Sequence, residues 1–162
     1  MSSGTARLGA DIVRGQANHG FVAGILRVLD PSAEKAYLDV PVFLALAVSL
    51  GGIWARVSKT LPFSAQWAGW LAYGVVVHPL AWHHSFVLAI PLVAFSFHYS
   101  SKVWPKQKTW MGLSVLGVAL IGWIVPNVVG SFVRPFELGA SKAWGVLFCA
   151  WAMVGASRSL LR

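Results

Sequence analysis

Three imidazoles crowd into one turn-forming stretch, His78-Pro79-Leu80-Ala81-Trp82-His83-His84, with Ser85 directly behind it. An imidazole can pass a proton near neutral pH, bind a metal through a ring nitrogen, or hydrogen-bond backbone groups. Two more sets of polar residues stand beside apolar runs: Asn18 with His19, and Arg134 with Glu137. For metal binding the spacing is poor. His83 and His84 are neighbours and would point about 100° apart on a helix, whereas a zinc site gathers side chains from one face or from converging loops. We therefore expect no metal and no cofactor. A break in a membrane helix leaves backbone N–H and C=O groups without partners, and histidines at the break can satisfy them. Backbone capping and contact with a ligand stay open for all three, with His84 the better placed for a ligand.

The elements that position these groups follow from composition. Of 162 residues, 57% are hydrophobic and 11% are charged, against about 25% charged in soluble domains. That leaves too little polar side chain to cover a globular surface in water, which excludes a soluble single domain. In lipid, about 20 residues per helix cross some 30 Å of hydrocarbon, so about five spans would use most of the chain. The net charge of +8 comes from scattered Lys and Arg at the ends of apolar runs. This is the pattern of a membrane protein, and no nucleic-acid partner is expected. The one cysteine, Cys149, permits no disulfide within the chain.

Charge-free stretches run from Val40 to Ala55, Thr60 to Ser101, Thr109 to Val133 and Ala143 to Ser157. The second would extend about 58 Å over its apolar part as one helix, so it must fold back at the histidine corner. The fold class expected is all-α integral membrane protein, with about five transmembrane helices near 40–56, 61–78, 84–101, 109–129 and 140–158. Five spans place Arg56, Lys59, Lys102, Lys106, Lys108, Arg158 and Arg162 on one side, and Arg27, Lys35, Arg134 and Lys142 on the other. The positive-inside rule puts the first set in the cytoplasm. The C-terminus is then cytoplasmic, and the N-terminus and the 78–84 corner lie outside. Trp54, Trp67, Trp82, Trp104, Trp110 and Trp144 fall near helix ends, as interfacial anchors do.

Residues 1–39 form an outward-facing segment. Within about 19–29, Phe21, Val22, Ile25, Leu26, Val28 and Leu29 make a helical stripe with Arg27 off it. Asp30-Pro31-Ser32 stops the run. This predicts an amphipathic helix on the membrane surface. No apolar stretch backs the basic residues of the first sixteen positions, so they are no secretory signal. The segment fits better as a loop that follows an earlier transmembrane helix.

The stretch HPLAWHHSFVLAIP, His78 to Pro91, resembles the signature of glycosyltransferase family 87, membrane enzymes of the GT-C fold. In that family a helix ends in Ser-Pro-Ile-Ser/Ala-Trp-x-His-His and the next runs apolar to a proline. Pro79, Ala81, Trp82, His84 and Pro91 match in register, and a shift of one residue would put His83 and His84 on the pair. Asn18-His19-Gly20 followed by Gly24, Leu26, Arg27 and Leu29 is similar to the family's Asn-Gln-Ser segment and its amphipathic Gly-x-Leu-x-Arg helix. His78 stands in place of serine and His19 in place of glutamine. The likeness covers roughly residues 10–130, which correspond to the later part of a longer family chain.

The resemblance implies transfer of mannose, arabinofuranose or a related hexose or pentose from a polyprenyl-phosphate donor to a cell-envelope glycan or glycolipid, outside the bacterial plasma membrane. It implies substrate-binding roles for His84, His83, Trp82, Asn18, Arg27 and Arg134. The arginines would offer paired N–H donors to phosphate, and Trp82 would stack on the sugar. Ordinary anchoring at the interface is the competing use of both arginines and of Trp82. Inversion at the anomeric carbon needs a carboxylate to take the acceptor's proton. Asp11 is the one formal candidate, in a polar tail where solvation alone would account for it. The family's early helices, with the loop aspartate thought to act as base, have no counterpart among these residues. The expected partners are membrane lipid, the polyprenyl-phosphate-linked sugar and a separate chain carrying the N-terminal half.

The competing class is a small multispan scaffold or transporter subunit. Transport predicts ionisable groups within the spans or symmetric broken helices, and of these only Pro126-Asn127 near the end of the fourth span points that way. Gly112, Gly117 and Gly122 are five apart, which is no small-xxx-small face, and they read as tolerated glycines.

Overall fold

The computed structural model describes Ile12 and residues 18–32, 34–123 and 140–161. Among these the chain is helical, with a single isolated antiparallel bridge between Asn18 and Trp82. Six α-helices follow one another: α1 Phe21–Leu29, α2 Asp39–Val57, α3 Phe63–Val77, α4 Ile90–Val103, α5 Lys108–Val118 and α6 Ser141–Leu160.

Helix ends sit where the sequence withdraws donors or adds charge. Asp30 follows α1 and turns the chain, its buried carboxylate accepting the N–H groups of Glu34 and Lys35 at 3.1 and 2.8 Å. Asp39 opens α2 and Arg56 closes it, each complementing the helix dipole. Pro41 falls in the first turn of α2, where its missing N–H has no ladder partner to lose. α3 stops at His78, extended with ψ 131°, because Pro79 disfavours helix in the residue before it. Pro91 contributes no N–H, so an α ladder cannot run through from His83. The chain takes a 3-10 path over His83–Ala89, and α4 begins at Ile90 with Pro91 in its first turn.

Three helical stretches are long and apolar enough to cross a bilayer: Asp39–Thr60, His84–Val103 and Ser141–Leu160, of 22, 20 and 20 residues. The other two expected spans are shorter. α3 has 15 residues, about 22 Å at 1.5 Å per residue, cut by Pro62 and Pro79. α5 gives way to a π-helical turn at Ala119–Trp123, and the rest of the expected fourth span, with Pro126 and Asn127, lies outside the described residues.

α6 is the spine of the bundle. Its buried side includes Ala143, Gly145, Val146, Cys149, Ala152, Met153 and Ala156, and α4 and α5 pack along it. Backbones of α5 and α6 meet at glycines. A Cβ on Gly117 would lie 2.5 Å from Cys149 Sγ and 2.7 Å from the Gly145 carbonyl oxygen, and one on Gly145 would lie 2.5 Å from the Gly117 oxygen. Gly117 is thus a contact residue rather than a tolerated one, and its partner glycine stands on another helix. Gly112 and Gly122 have open space around them. The Ser100 and Ser114 hydroxyls, 3.1 Å apart, join α4 to α5 inside the bundle, and Ser114 also donates to the Trp110 carbonyl at 3.1 Å.

Aromatic rings seat α2 on α3. The Trp54 indole covers Gly69 so closely that a Cβ there would fall 1.8 Å from a ring carbon, and Tyr73 lies against Gly51. Trp54 Nε1 donates to the Gln66 carbonyl at 3.3 Å, and Tyr73 Oη to the Ala47 carbonyl at 2.8 Å. Trp54 is therefore buried, not an interfacial anchor, and Trp110 likewise covers Gly155. Trp67, Trp82, Trp104 and Trp144 remain exposed.

The helix ends group at two poles. At one, Arg158 Nη2 donates to the Val57 carbonyl at 3.3 Å, and the Ser159 hydroxyl donates to Gln107 Oε1 at 2.6 Å. At the other, Phe21 meets Trp144 edge-on with ring centroids 5.0 Å apart, and residues 18–20 meet the histidine corner.

Candidate functional site at the histidine corner

The corner is built by two segments 63 residues apart in the chain. Because Pro79 ends α3 and Pro91 delays α4, residues 78–82 form a turn whose peptide groups lack helical partners. Asn18 supplies them. Its side-chain amide donates to the Pro79 carbonyl, and its Oδ1 accepts the Ala81 N–H at 3.0 Å and the Gly20 N–H at 3.2 Å. The His19 backbone N–H then donates to the Ala81 carbonyl at 2.7 Å. Gly20 allows the approach, since a Cβ there would lie 2.9 Å from the His78 carbonyl oxygen and 3.0 Å from the Ala81 Cβ. Asn18, His19 and Ala81 are buried in the joint.

The first turn of α1 continues directly from this joint. Phe21, Val22, Ala23 and Leu26 are buried while Val28 and Leu29 are exposed. Arg27, in the last turn, donates through Nη2 to the Asn18 carbonyl. The guanidinium expected to meet phosphate thus already braces the Asn18 segment.

His78, Leu80, Trp82 and His84 of the corner are exposed. His78 is exposed, with Nδ1 accepting the Leu80 N–H at 2.9 Å, a bond open only to a ring without a proton on that nitrogen. This is the backbone-capping role considered for His78. Trp82 is 45% exposed. Its indole lies 6.0 Å from the exposed His84 ring, centroid to centroid, at 59°. Indole and imidazole together give a flat apolar face beside a hydrogen-bonding edge. His83 opens the 3-10 stretch, and its side chain lies outside the described atoms.

Asp11, Arg134 and Glu137 lie outside the described residues, so the corner as described has neither the candidate carboxylate nor the second arginine. Lys142, expected as an interfacial cation, is buried, and its ammonium donates to the Ile121 carbonyl in the π-helical turn. A cation at the end of a helix meets the negative end of the helix dipole. Among the described residues no three His, Cys, Asp or Glu side chains cluster as a metal site would need.

Sequence reading missed the bracing of Asn18 by Arg27 and the service of Asn18 to the turn. One signal was present: a glycine directly after Asn18-His19 marks a place where the backbone must approach another segment. No family model, curated protein sequence or solved structure matches the chain.

Proposed function

We propose that this chain is the later part of a membrane glycosyltransferase that moves a hexose or pentose from a polyprenyl-phosphate donor to a cell-envelope glycan or glycolipid. The observation that carries the reading is the joint between Asn18-His19-Gly20 and the Pro79–Trp82 turn. The two stretches that resemble glycosyltransferase family 87 in sequence build one local structure at one pole of the bundle. In this reading that pole faces the outer surface of a bacterial plasma membrane, and the pole carrying Arg56, Lys59, Lys102 and Arg158 faces the cytoplasm. The chain crosses five times, with α3 and the α5 region as short spans beside the three long ones, and α1 lies at the outer headgroup level.

Each group then has a task. Trp82 stacks on the apolar face of the sugar, and His84 hydrogen-bonds its hydroxyls. Arg27 holds Asn18 in place and contributes positive charge toward the donor phosphate, with Arg134 as a second cation. His83 is the remaining histidine to which the resemblance gives a substrate-binding role. The carboxylate that accepts the proton of the attacking hydroxyl belongs to a part of the enzyme other than residues 18–161, carried by a partner chain or, within this one, by Asp11. During transfer the glycosidic bond forms to the acceptor oxygen, the bond to the phosphate oxygen breaks, and polyprenyl phosphate leaves.

A scaffold or transporter-subunit reading draws on one specific observation: both polar ends of the Asn18 side chain are spent on backbone groups, as in a purely structural joint. Binding separates the two. The purified chain in lipid nanodiscs should bind polyprenyl-phosphate-mannose saturably, and Trp82→Ala and His84→Ala should each weaken binding about tenfold, the effect of losing roughly 1.4 kcal/mol. Absence of saturable binding, or binding unchanged in both variants, favours the scaffold.

A further inference from the structure

A different part of the molecule carries an inference that is independent of the sugar-transfer reading. Two apolar cavities lie between α2 and α6. One of about 390 Å³ is lined by Ile53, Trp54, Val57, Val146, Trp151 and Arg158, among others. The second, of about 430 Å³, reaches Phe21 and Trp144. Leu50 and Leu147 line both, so the two adjoin, and the first forms a groove that ends at Arg158. Its walls are apolar until Arg158.

We infer that this groove holds the acyl chain of an anionic membrane phospholipid whose phosphate sits at Arg158. Length and charge support that occupant. From Val146 to Arg158 the first cavity follows α6 for about 18 Å at 1.5 Å per residue, close to the roughly 15 Å depth of one hydrocarbon leaflet. At its mouth, Arg158 spends one N–H on the Val57 carbonyl, which fixes the guanidinium at the end of α2 and leaves further donors for phosphate. Arg56 and Lys59 flank Val57 in sequence, and both are exposed. A headgroup with net negative charge is therefore favoured over a zwitterionic one. The exposed faces of Ile53 and Trp151 open the groove sideways, so a lipid enters from the bilayer without unfolding the bundle.

The test uses the full chain in detergent, equilibrated with equal amounts of phosphatidylglycerol and phosphatidylcholine and read by native mass spectrometry. One well-placed basic residue near the membrane surface is worth about fivefold in favour of the anionic lipid. We expect the wild type to retain phosphatidylglycerol about fivefold over phosphatidylcholine. Arg158→Gln should retain as much total lipid with that preference reduced, the remainder being due to Arg56 and Lys59. Ile53→Trp, at an exposed position on the groove wall, should lower retention of both lipids while the thermal transition stays in place. Equal retention of the two lipids by the wild type would overturn the inference, as would an unchanged preference in Arg158→Gln or full retention in Ile53→Trp. Cross-linking of a cysteine at Trp151 to a second polypeptide rather than to a lipid would also overturn it, because a protein helix would then fill the groove.

Discussion

The α5–α6 and α2–α3 seams both seat rings on glycines, and only the first also brings two backbones together. Where α5 crosses α6, Gly117 and Gly145 remove side chains so that backbones touch, and Trp110 covers Gly155. Where α2 meets α3, glycines serve as seats for large rings, Trp54 over Gly69 and Tyr73 against Gly51. Within lipid, apolar surface gives little drive for helices to associate, so close packing and interhelical hydrogen bonds decide what holds. The backbone contact makes a rigid seam. The ring contacts hold α2 on α3, α1 also packs on α2, and the cavities lie between α2 and α6.

Substitutions separate these devices. Gly117→Leu drives a side chain into the Gly145 backbone, which cannot give way, and overpacking of that kind costs about 3 kcal/mol or more. We expect cooperative loss of the whole bundle, measured as an early transition in SDS-titrated unfolding. Gly69→Leu should cost about 2 kcal/mol, because the Trp54 ring can swing out with α2. Combining it with Trp54→Ala should recover part of the loss, and a double-mutant cycle in the same titration measures the coupling. If Gly69→Leu proves as damaging as Gly117→Leu, the α2 seam is as rigid as the other. Ser114→Ala removes one interhelical hydroxyl contact and should shift stability by about 0.6 kcal/mol. A shift several times larger would mean that polar bonds between α4 and α5 hold the bundle as strongly as the α5–α6 glycine contact.

Helix positions were legible because prolines and charges set them. Pro79 ends α3 at Val77, two residues before it, and Pro91 delays α4, close to where the apolar runs divide. The pairing of distant segments was less legible. Asn18 and the Pro79 turn were singled out separately on their resemblance to one family, but nothing in a linear reading states that the Asn18 amide satisfies the turn. Gly117 was misread for a related reason: spacing along one helix cannot show a glycine on another. Trp54 was misread because position near a helix end says nothing of the small residue, Gly69, that admits the ring. Lys142 shows that a cation at a helix start need not face the headgroups when a carbonyl of a π-turn is within reach.

The central claim is that the Asn18 segment and the Pro79–Trp82 turn form one site for a polyprenyl-phosphate-linked sugar. Photo-labelling tests it most directly. A polyprenyl-phosphate-mannose analogue with a diazirine on the sugar is irradiated with the full chain in nanodiscs, and labelled peptides are mapped by mass spectrometry. The account predicts label in both residues 18–29 and residues 78–90, displaced by unlabelled donor. Label confined to other helices, or label that excess donor does not displace, would contradict it.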